Sequence, residues 1–398
     1  MQQEFLYIKV LKQVAMENLK YSPTQIIDKT VYRLYREFIP EQDRYLIQFC
    51  FNADMTQKDL DEFLSHWDIE IAGSKSAAIA AYFMKMHPEL RFDEYTGPRL
   101  KGLLNYLRFQ NLELIGHFSK IVHQLNEKGI IPMIIKGGAM RYLRPELPRV
   151  MGDIDILLGS TEELNISKQL VQEMGYAITD APHSFDVHPK EDLEKGILDI
   201  HQFFSFLSHA NEAFQRDLFN RASKQRIFSV DILLPTPEDM VFICLNNLTH
   251  NLKDGSSVQG IPQAIFDLMY LISSKKDFDW NIVAQDIVMT QMQASSYFAM
   301  RFINQAVPDI FPDSLLSDKE LGPALRDFVD HDKFYSLYVH DVKYACKKLK
   351  LLREIWRWTT FKHYIKVEGQ HFFTKRILKH QFLIRCFLKY FCRIKNAD

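Results

Sequence analysis

Through most of residues 1 to about 125, apolar positions recur at spacings of three and four, the period of helices that bury one face. The stretch HWDIEIAGSKSAAIAAYFMKM predicts one such helix. A second, over 100–129, gathers Leu104, Leu107, Leu112, Leu114, Ile115, Phe118, Ile121, Val122 and Leu125 into one broad apolar face. Gly129 ends it, because glycine accepts the left-handed backbone that commonly follows a helix. At residue 130 the pattern changes. IIPMII (130–135) is a short apolar run with β-branched residues, and DIDILL (153–158), YAIT (176–179), SFDVH (184–188) and ILDIHQF (197–203) add further predicted strands. KGGAMRYL lies between the first two and reads as a Gly-rich turn opening a helix. Ser160-Thr161-Glu162-Glu163 is a capping-box pattern for a helix ending at Gly175. Beyond these, LPTPEDMVFICLNNLTHNL starts a helix with Pro in its first turn. IPQAIFDLMYLISS and most of 285–340 continue the helical period.

This pattern divides the chain into a helical region 1–124, an α+β core 125–205, a helical domain 206–342 and an aromatic-rich tail 343–398. Composition adds little at first. The 398 residues are 47% hydrophobic and 25% charged, as in ordinary globular proteins, which excludes disordered and fibrous classes. No run of about 18 apolar residues free of charge suggests a transmembrane helix. The first twenty residues lack the features of a signal peptide. The five cysteines (Cys50, Cys244, Cys346, Cys386, Cys392) form no C-x-x-C pair, so a cytoplasmic, reducing location is expected.

Charge changes the picture more. The net value is −1, but 343–395 holds fifteen Lys and Arg against Glu354 and Glu368, a segment of +13 on a remainder of −14. Arg385, Lys389 and Arg393 form an i, i+4 stripe beside Leu383, Phe387 and Phe391. Such a tail suits nucleic-acid phosphates, with Trp356, Trp358 and Phe361 stacking on bases, an anionic membrane surface, or the acidic body of the protein itself.

The chemistry concentrates in the α+β core. In Asp153-Ile154-Asp155 the two carboxylates share one face of a strand, since side chains two apart point the same way. Like charges so close call for a neutralising partner, and oxygen-only ligands favour Mg²⁺ or Mn²⁺. Gly137 and Gly138 at a helix start form a turn that lets phosphate approach backbone amides, with Lys136 and Arg149 nearby in sequence. Asp199, in Leu198-Asp199-Ile200-His201, adds a third carboxylate. Three carboxylates can hold two metal ions around a transferring phosphoryl group. His183, His188 and His201 fall within 19 residues, but no Cys or H-E-x-x-H accompanies them. They suit hydrogen-bonding or substrate-positioning roles better than zinc. His201 shares the face of Asp199, and His250 could approach the cleft from the helical domain or serve helix packing.

The set Ile135-Lys136-Gly137, Arg149, Gly152-Asp153-Ile154-Asp155, Gly175-Tyr176 and Asp199-Ile200-His201 resembles the DNA polymerase β-type nucleotidyltransferase superfamily. It is most similar to a bacterial branch described as uncharacterised nucleotidyltransferases, over about 60–270. The resemblance implies an α+β, polymerase β-like core of mixed sheet and helices, flanked by helical regions, that uses a nucleoside triphosphate and Mg²⁺. It implies Asp153, Asp155 and Asp199 as metal-holding catalytic residues, with Asp199 next to the acceptor hydroxyl. Lys136, Gly137, Gly138 and Arg149 would hold the nucleotide, and His201 and His250 would position substrate. The acceptor, be it a small molecule, a protein or an RNA, stays open. The 14 residues between Gly138 and Asp153 exceed the spacing in many superfamily members. A catalytically inactive nucleotide- or partner-binding module is therefore the alternative expectation.

Overall fold

In a computed structural model, the chain is described over residues 23–51, 55–143, 149–181, 184–192, 195–203, 212–254, 260–273, 277–312 and 315. Nearly all of these belong to one compact unit, Ile27–Leu321; a second unit comprises Met1–Ile26 and Gly322–Asp398. The basic tail 343–398 and His183 lie outside the described residues.

The α+β class expected of the core is what the chain adopts. Seven strands make one mixed sheet: β1 (Met133–Ile134), β2 (Ile154–Leu157), β3 (Ala177–Ala181), β4 (Ser184–His188), β5 (Leu198–His201), β6 (Ser223–Ile227) and β7 (Val230–Leu234), in the order β3-β4-β5-β2-β1-β7-β6. β2 pairs parallel with β5 and antiparallel with β1, and β1 pairs parallel with β7. Of the apolar run 130–135, only Met133 and Ile134 are strand. Pro132 has no N–H to give the ladder, although its carbonyl accepts from Leu233 N at 2.9 Å. Lys136 then turns the chain with φ +47.

The sequence reading missed β6 and β7, which add a hairpin inside the stretch expected to be helical, 206–342. Its turn residues, Phe228 and Ser229, both have positive φ (48 and 66), the geometry of a tight hairpin turn, but neither is the Gly or Asn that normally signals one.

Twelve helices accompany the sheet among the described residues: α1 (Pro23–Phe38), α2 (Glu41–Cys50), α3 (Gln57–His66), α4 (Ser74–Met86), α5 (Thr96–Glu127), α6 (Lys136–Leu143), α7 (Thr161–Glu173), α8 (Glu212–Arg221), α9 (Pro237–Asp254), α10 (Ile261–Ser273), α11 (Trp280–Met289) and α12 (Gln293–Ala306). On α5, Leu107, Leu114, Ile115, Phe118, Ile121, Val122 and Leu125 are buried as expected. Leu112 is 51% exposed, because it falls outside the arc those residues share. Asn111 takes the inward position beside it and donates to the Arg149 carbonyl at 2.8 Å. Gly129 (φ +79) and Gly175 (φ +90) close α5 and α7 in the left-handed conformation. At α7 the cap is Ser160, which accepts from Glu163 N at 3.1 Å, while Glu163 accepts from Gly159 N.

Helix α9 organises the helical layer. Thr236 and Asp239 cap it reciprocally, with Asp239 N donating to Thr236 Oγ1 at 3.2 Å and Thr236 Oγ1 donating to Asp239 Oδ2 at 2.7 Å. Its buried Met240, Val241, Phe242, Ile243, Leu245 and Leu248 let it pack against α10, α11 and α12. It also touches α6, the helix that follows the Gly-Gly turn, and so brings the helical layer up to the sheet.

Candidate active site

The strand register sets the site. Asp155 on β2 stands directly opposite Asp199 on β5, and Asp199 stands opposite Asp186 on β4. Three carboxylates thus form a row across neighbouring strands. Asp153 does not extend it along β2, because the strand begins at Ile154, whose N–H donates to Ile197 O at 3.1 Å. Asp153 sits at the bend just before, open to solvent, beside Asp155.

Two cations of the chain answer this acidity. Lys136 Nζ pairs with Asp155 Oδ1. His201, two residues after Asp199 and on its face, places Nε2 3.2 Å from Asp155 Oδ1 and 2.9 Å from Asp199 Oδ2. Burial works against charge on Asp155, but Lys136 and then His201 outweigh it and hold the carboxyl well below the usual carboxylate range. For His201, burial favours the neutral ring, and the hydrogen bonds to Asp155 and Asp199 reverse that, raising its pKa. At Asp153 the surrounding protein and then the charge of Asp155 push the carboxyl up to about 6. Burial and Asp199 raise Asp186 as well.

Whether this set suits a divalent cation can be tested on the side chains themselves. Ligand atoms of Asp155, Asp199 and His201 lie within 4.8 Å of one another. Asp199 Oδ1 is buried and has no hydrogen-bond partner among the described residues. A buried anionic oxygen without a donor is costly and well suited to a cation. Two carboxylates match Mg²⁺ or Mn²⁺, and an added imidazole tilts the set toward Mn²⁺. The residues fit. Of the three carboxylates expected to act together, Asp155 and Asp199 fall within this cluster and Asp153 stands beside it.

The Gly-Gly turn has a packing role that the sequence did not announce. Both glycines are buried. A Cβ on Gly137 would come 2.9 Å from Arg149 Nε, and one on Gly138 would come 2.7 Å from Ile134 Cδ1. Glycine is required here for close packing within the chain, so α6 can lie against β1 and β2. Arg149, seated on Gly137, pairs with Asp267 of α10. Burial pushes its pKa below the usual arginine range.

Next to the row lies a small cleft, reached through Lys136 and lined by Lys75, Lys136, Arg149, Cys244, Asn247, Asn251, Gly260, Gln263, Ala264 and Asp267. His250 lies on α9 between the two asparagines in sequence; its side chain lies outside the described residues. His188 on β4 is not joined to the metal-binding cluster, and both its ring nitrogens are buried without a partner among the described residues. Sequence reasoning missed Asp186, Lys75, Gln263 and Asp267. A signal existed only for Asp186: Asp186-Val187-His188 repeats the D-x-H spacing of Asp199-Ile200-His201. Nothing in a single sequence ties two helices on either side of the core to its turn.

Residues 76–308 match the family described as uncharacterised nucleotidyltransferase, and the chain belongs to that family. Among solved structures it is similar to an antigenic nucleotidyltransferase-like protein from Paracoccidioides brasiliensis, at 15% identity and a TM-score of 0.36, covering 54% of this chain and 92% of that one. No curated protein matches the chain. Among the described residues no helix is long and apolar enough to cross a membrane.

Proposed function

We propose that the protein transfers a nucleoside monophosphate from a nucleoside triphosphate to an acceptor hydroxyl at the acidic row, releasing pyrophosphate. The observation that carries this is the Asp155–Asp199 pair held side by side by strand register, with Asp199 Oδ1 buried and unpartnered among the described residues. Asp155, Asp199 and His201, its ring having given up the Nε2 proton, would hold a divalent ion, Mg²⁺ or Mn²⁺, with Asp153 at its edge. When bound, such ions stabilise charge on the phosphoryl oxygens and lower the pKa of an attacking hydroxyl. The chain's own residues do the rest. Asp199 Oδ1 accepts the proton of the acceptor hydroxyl as its oxygen bonds to the α-phosphorus and the bond to the bridging oxygen of pyrophosphate breaks. Lys136 holds Asp155 ionised and in place. Lys75, Lys136 and Arg149 give the cleft beside the row the positive charge that a polyphosphate needs.

The acceptor belongs to this proposal only as a class: a hydroxyl of a small molecule, a protein or an RNA. The basic tail, 343–398, is a proposed contact for nucleic acid or an anionic membrane, and a cytoplasmic location goes with a cysteine set lacking C-x-x-C pairs.

One observation favours a second reading, a nucleotide-binding module without turnover: Lys136 and His201 already neutralise Asp155. Pyrophosphate release from each of the four NTPs, with Mg²⁺ or Mn²⁺ and a broad acceptor panel, decides between the two. The transferase reading expects metal-dependent release that Asp155→Asn and Asp199→Asn both reduce by roughly a hundredfold or more. Saturable NTP binding with no release on any acceptor would leave the module.

A further inference from the structure

The cleft beside the acidic row contains a buried acceptor that nothing among the described residues satisfies. Gln263 on α10 is 4% exposed, and its Nε2 donates to Asp267 Oδ1 at 2.9 Å. Asp267, 2% exposed, gives its other oxygen to Arg149. An ionised carboxylate only accepts, so the amide nitrogen of Gln263 must face it and the amide oxygen must face away. That oxygen, Oε1, belongs to a side chain lining the cleft and has no donor among the described residues. The arrangement is therefore directional: Arg149 fixes Asp267, Asp267 fixes the amide nitrogen of Gln263, and the Gln263 oxygen is left as a pure acceptor in a side chain that lines the cleft.

The same cleft holds a cation with no carboxylate in ion-pair range among the described residues. Lys75, in the first turn of α4, lines it. A Cβ on Gly260 would stand 3.2 Å from Lys75 Nζ and 3.8 Å from Asn251 Nδ2, so glycine at 260 leaves the room that both side chains use. Burial and then Arg149 push the Lys75 ammonium below the usual lysine range, a cost that a bound anion offsets. A ligand suited to both features carries negative charge and a desolvated N–H or O–H donor.

We propose that Gln263 is the specificity-determining contact of this cleft, its Oε1 accepting a hydrogen bond from an N–H or O–H of the nucleoside while Lys75 binds the polyphosphate. This rests on the nucleotidyl-transfer reading and adds to it which end of the nucleotide meets which side chain. A site built to accept a hydrogen bond rejects a ligand lacking the donor more strongly than its contact area suggests, because the buried acceptor is then left unpaired.

The test is calorimetric binding to the full chain, with Mg²⁺, of ATP, GTP, CTP, UTP and inorganic tripolyphosphate. The wild-type protein is expected to bind at least one of the four about tenfold more tightly than tripolyphosphate, the value of one buried hydrogen bond. Gln263→Met removes the acceptor at similar volume and should erase that advantage while leaving tripolyphosphate affinity unchanged. Lys75→Met should weaken NTP and tripolyphosphate by the same factor. If Gln263→Met does not fold, the wild-type protein still gives the answer through analogues of the preferred nucleotide lacking the exocyclic amine or the ribose hydroxyls. A loss of about tenfold for one of them supports the assignment. Equal binding of all analogues, an NTP no tighter than tripolyphosphate, or an advantage that survives in Gln263→Met overturns it and leaves the transfer reading standing. Failure of the wild-type protein to bind any NTP overturns the transfer reading, and this assignment with it.

Discussion

Two clusters in this protein bury aspartates around a cation, and they are finished differently. In the first, Arg221 at the end of α8 reaches Asp239 at 2.9 Å through Nε and both oxygens of Asp286 at 2.9 and 3.0 Å. Asp239 also caps α9 through Thr236, so its oxygens all have donors. In the second, Lys136 and His201 cover Asp155 and one oxygen of Asp199, but Asp199 Oδ1 has no donor among the described residues and Asp153 stands open beside them. The first cluster is closed and ties together three helices, α8, α9 and α11. The second is left incomplete on the side where a substrate would come. Acidity and burial are common to both; unfinished hydrogen bonding marks the one with a chemical task.

The largest effects expected separate the two clusters by what they damage. Asp199→Asn should cost roughly a hundredfold or more in metal-dependent transfer, with a thermal midpoint unchanged or raised, because it removes a buried charge that the described residues satisfy at one oxygen only. Arg221→Met should do the reverse. It strands two buried carboxylates and is expected to cost about 3 kcal/mol in urea unfolding, with little change in turnover per folded molecule. Equal destabilisation by both variants would erase the distinction and make Asp199 a structural residue.

A smaller effect appears with pH. Burial, and then Asp239, push Asp286 from its ordinary 3.8 up to about 7 against the pull of Arg221. A carboxyl whose pKa is raised by folding contributes stability that is fully present below its unfolded pKa and is lost as pH rises through the folded one. The wild-type protein should therefore lose more stability between pH 5.5 and 8 than Asp286→Asn, in which the titrating group is gone. Urea midpoints of the two proteins at those pH values provide the check. Parallel curves would mean that Arg221 keeps Asp286 ionised throughout.

How much of this was legible before the structure follows from the range of the forces involved. Local signals were readable: the capping pattern at Ser160, the left-handed stops at Gly129 and Gly175, and strand SFDVH, which matches β4 end to end. The family was readable too, because Gly152-Asp153-Ile154-Asp155 and Asp199-Ile200-His201 are compact motifs. Register was not. That Asp186 faces Asp199 depends on how β4 pairs with β5, which no single strand records. The β6–β7 hairpin stayed hidden because Phe228-Ser229 supplies its turn without the usual turn residues. The glycines stood out in the sequence, but their packing did not: the atoms filling the space of their missing side chains belong to Arg149 and Ile134. Asp267 and Gln263 act on the core from more than a hundred residues away, and only tertiary packing brings them there.

The smallest expected effect tests where the open cluster ends. Asp186 continues the row onto β4, is half-buried, and is pushed up by burial and by Asp199. If it only adds negative potential, Asp186→Asn should weaken Mn²⁺ binding about threefold, the scale of a partly solvated charge interaction. Asp199→Asn, by comparison, should remove binding altogether. Thermal shifts across a Mn²⁺ titration measure both variants directly, since a ligand bound to the folded state stabilises it in proportion to the logarithm of its concentration over Kd. A loss in Asp186→Asn as large as in Asp199→Asn would make Asp186 a ligand. The working carboxylates would then be a β5–β4 pair joined to Asp155, and the D-x-H spacing shared by the two strands would be the sequence record of that site.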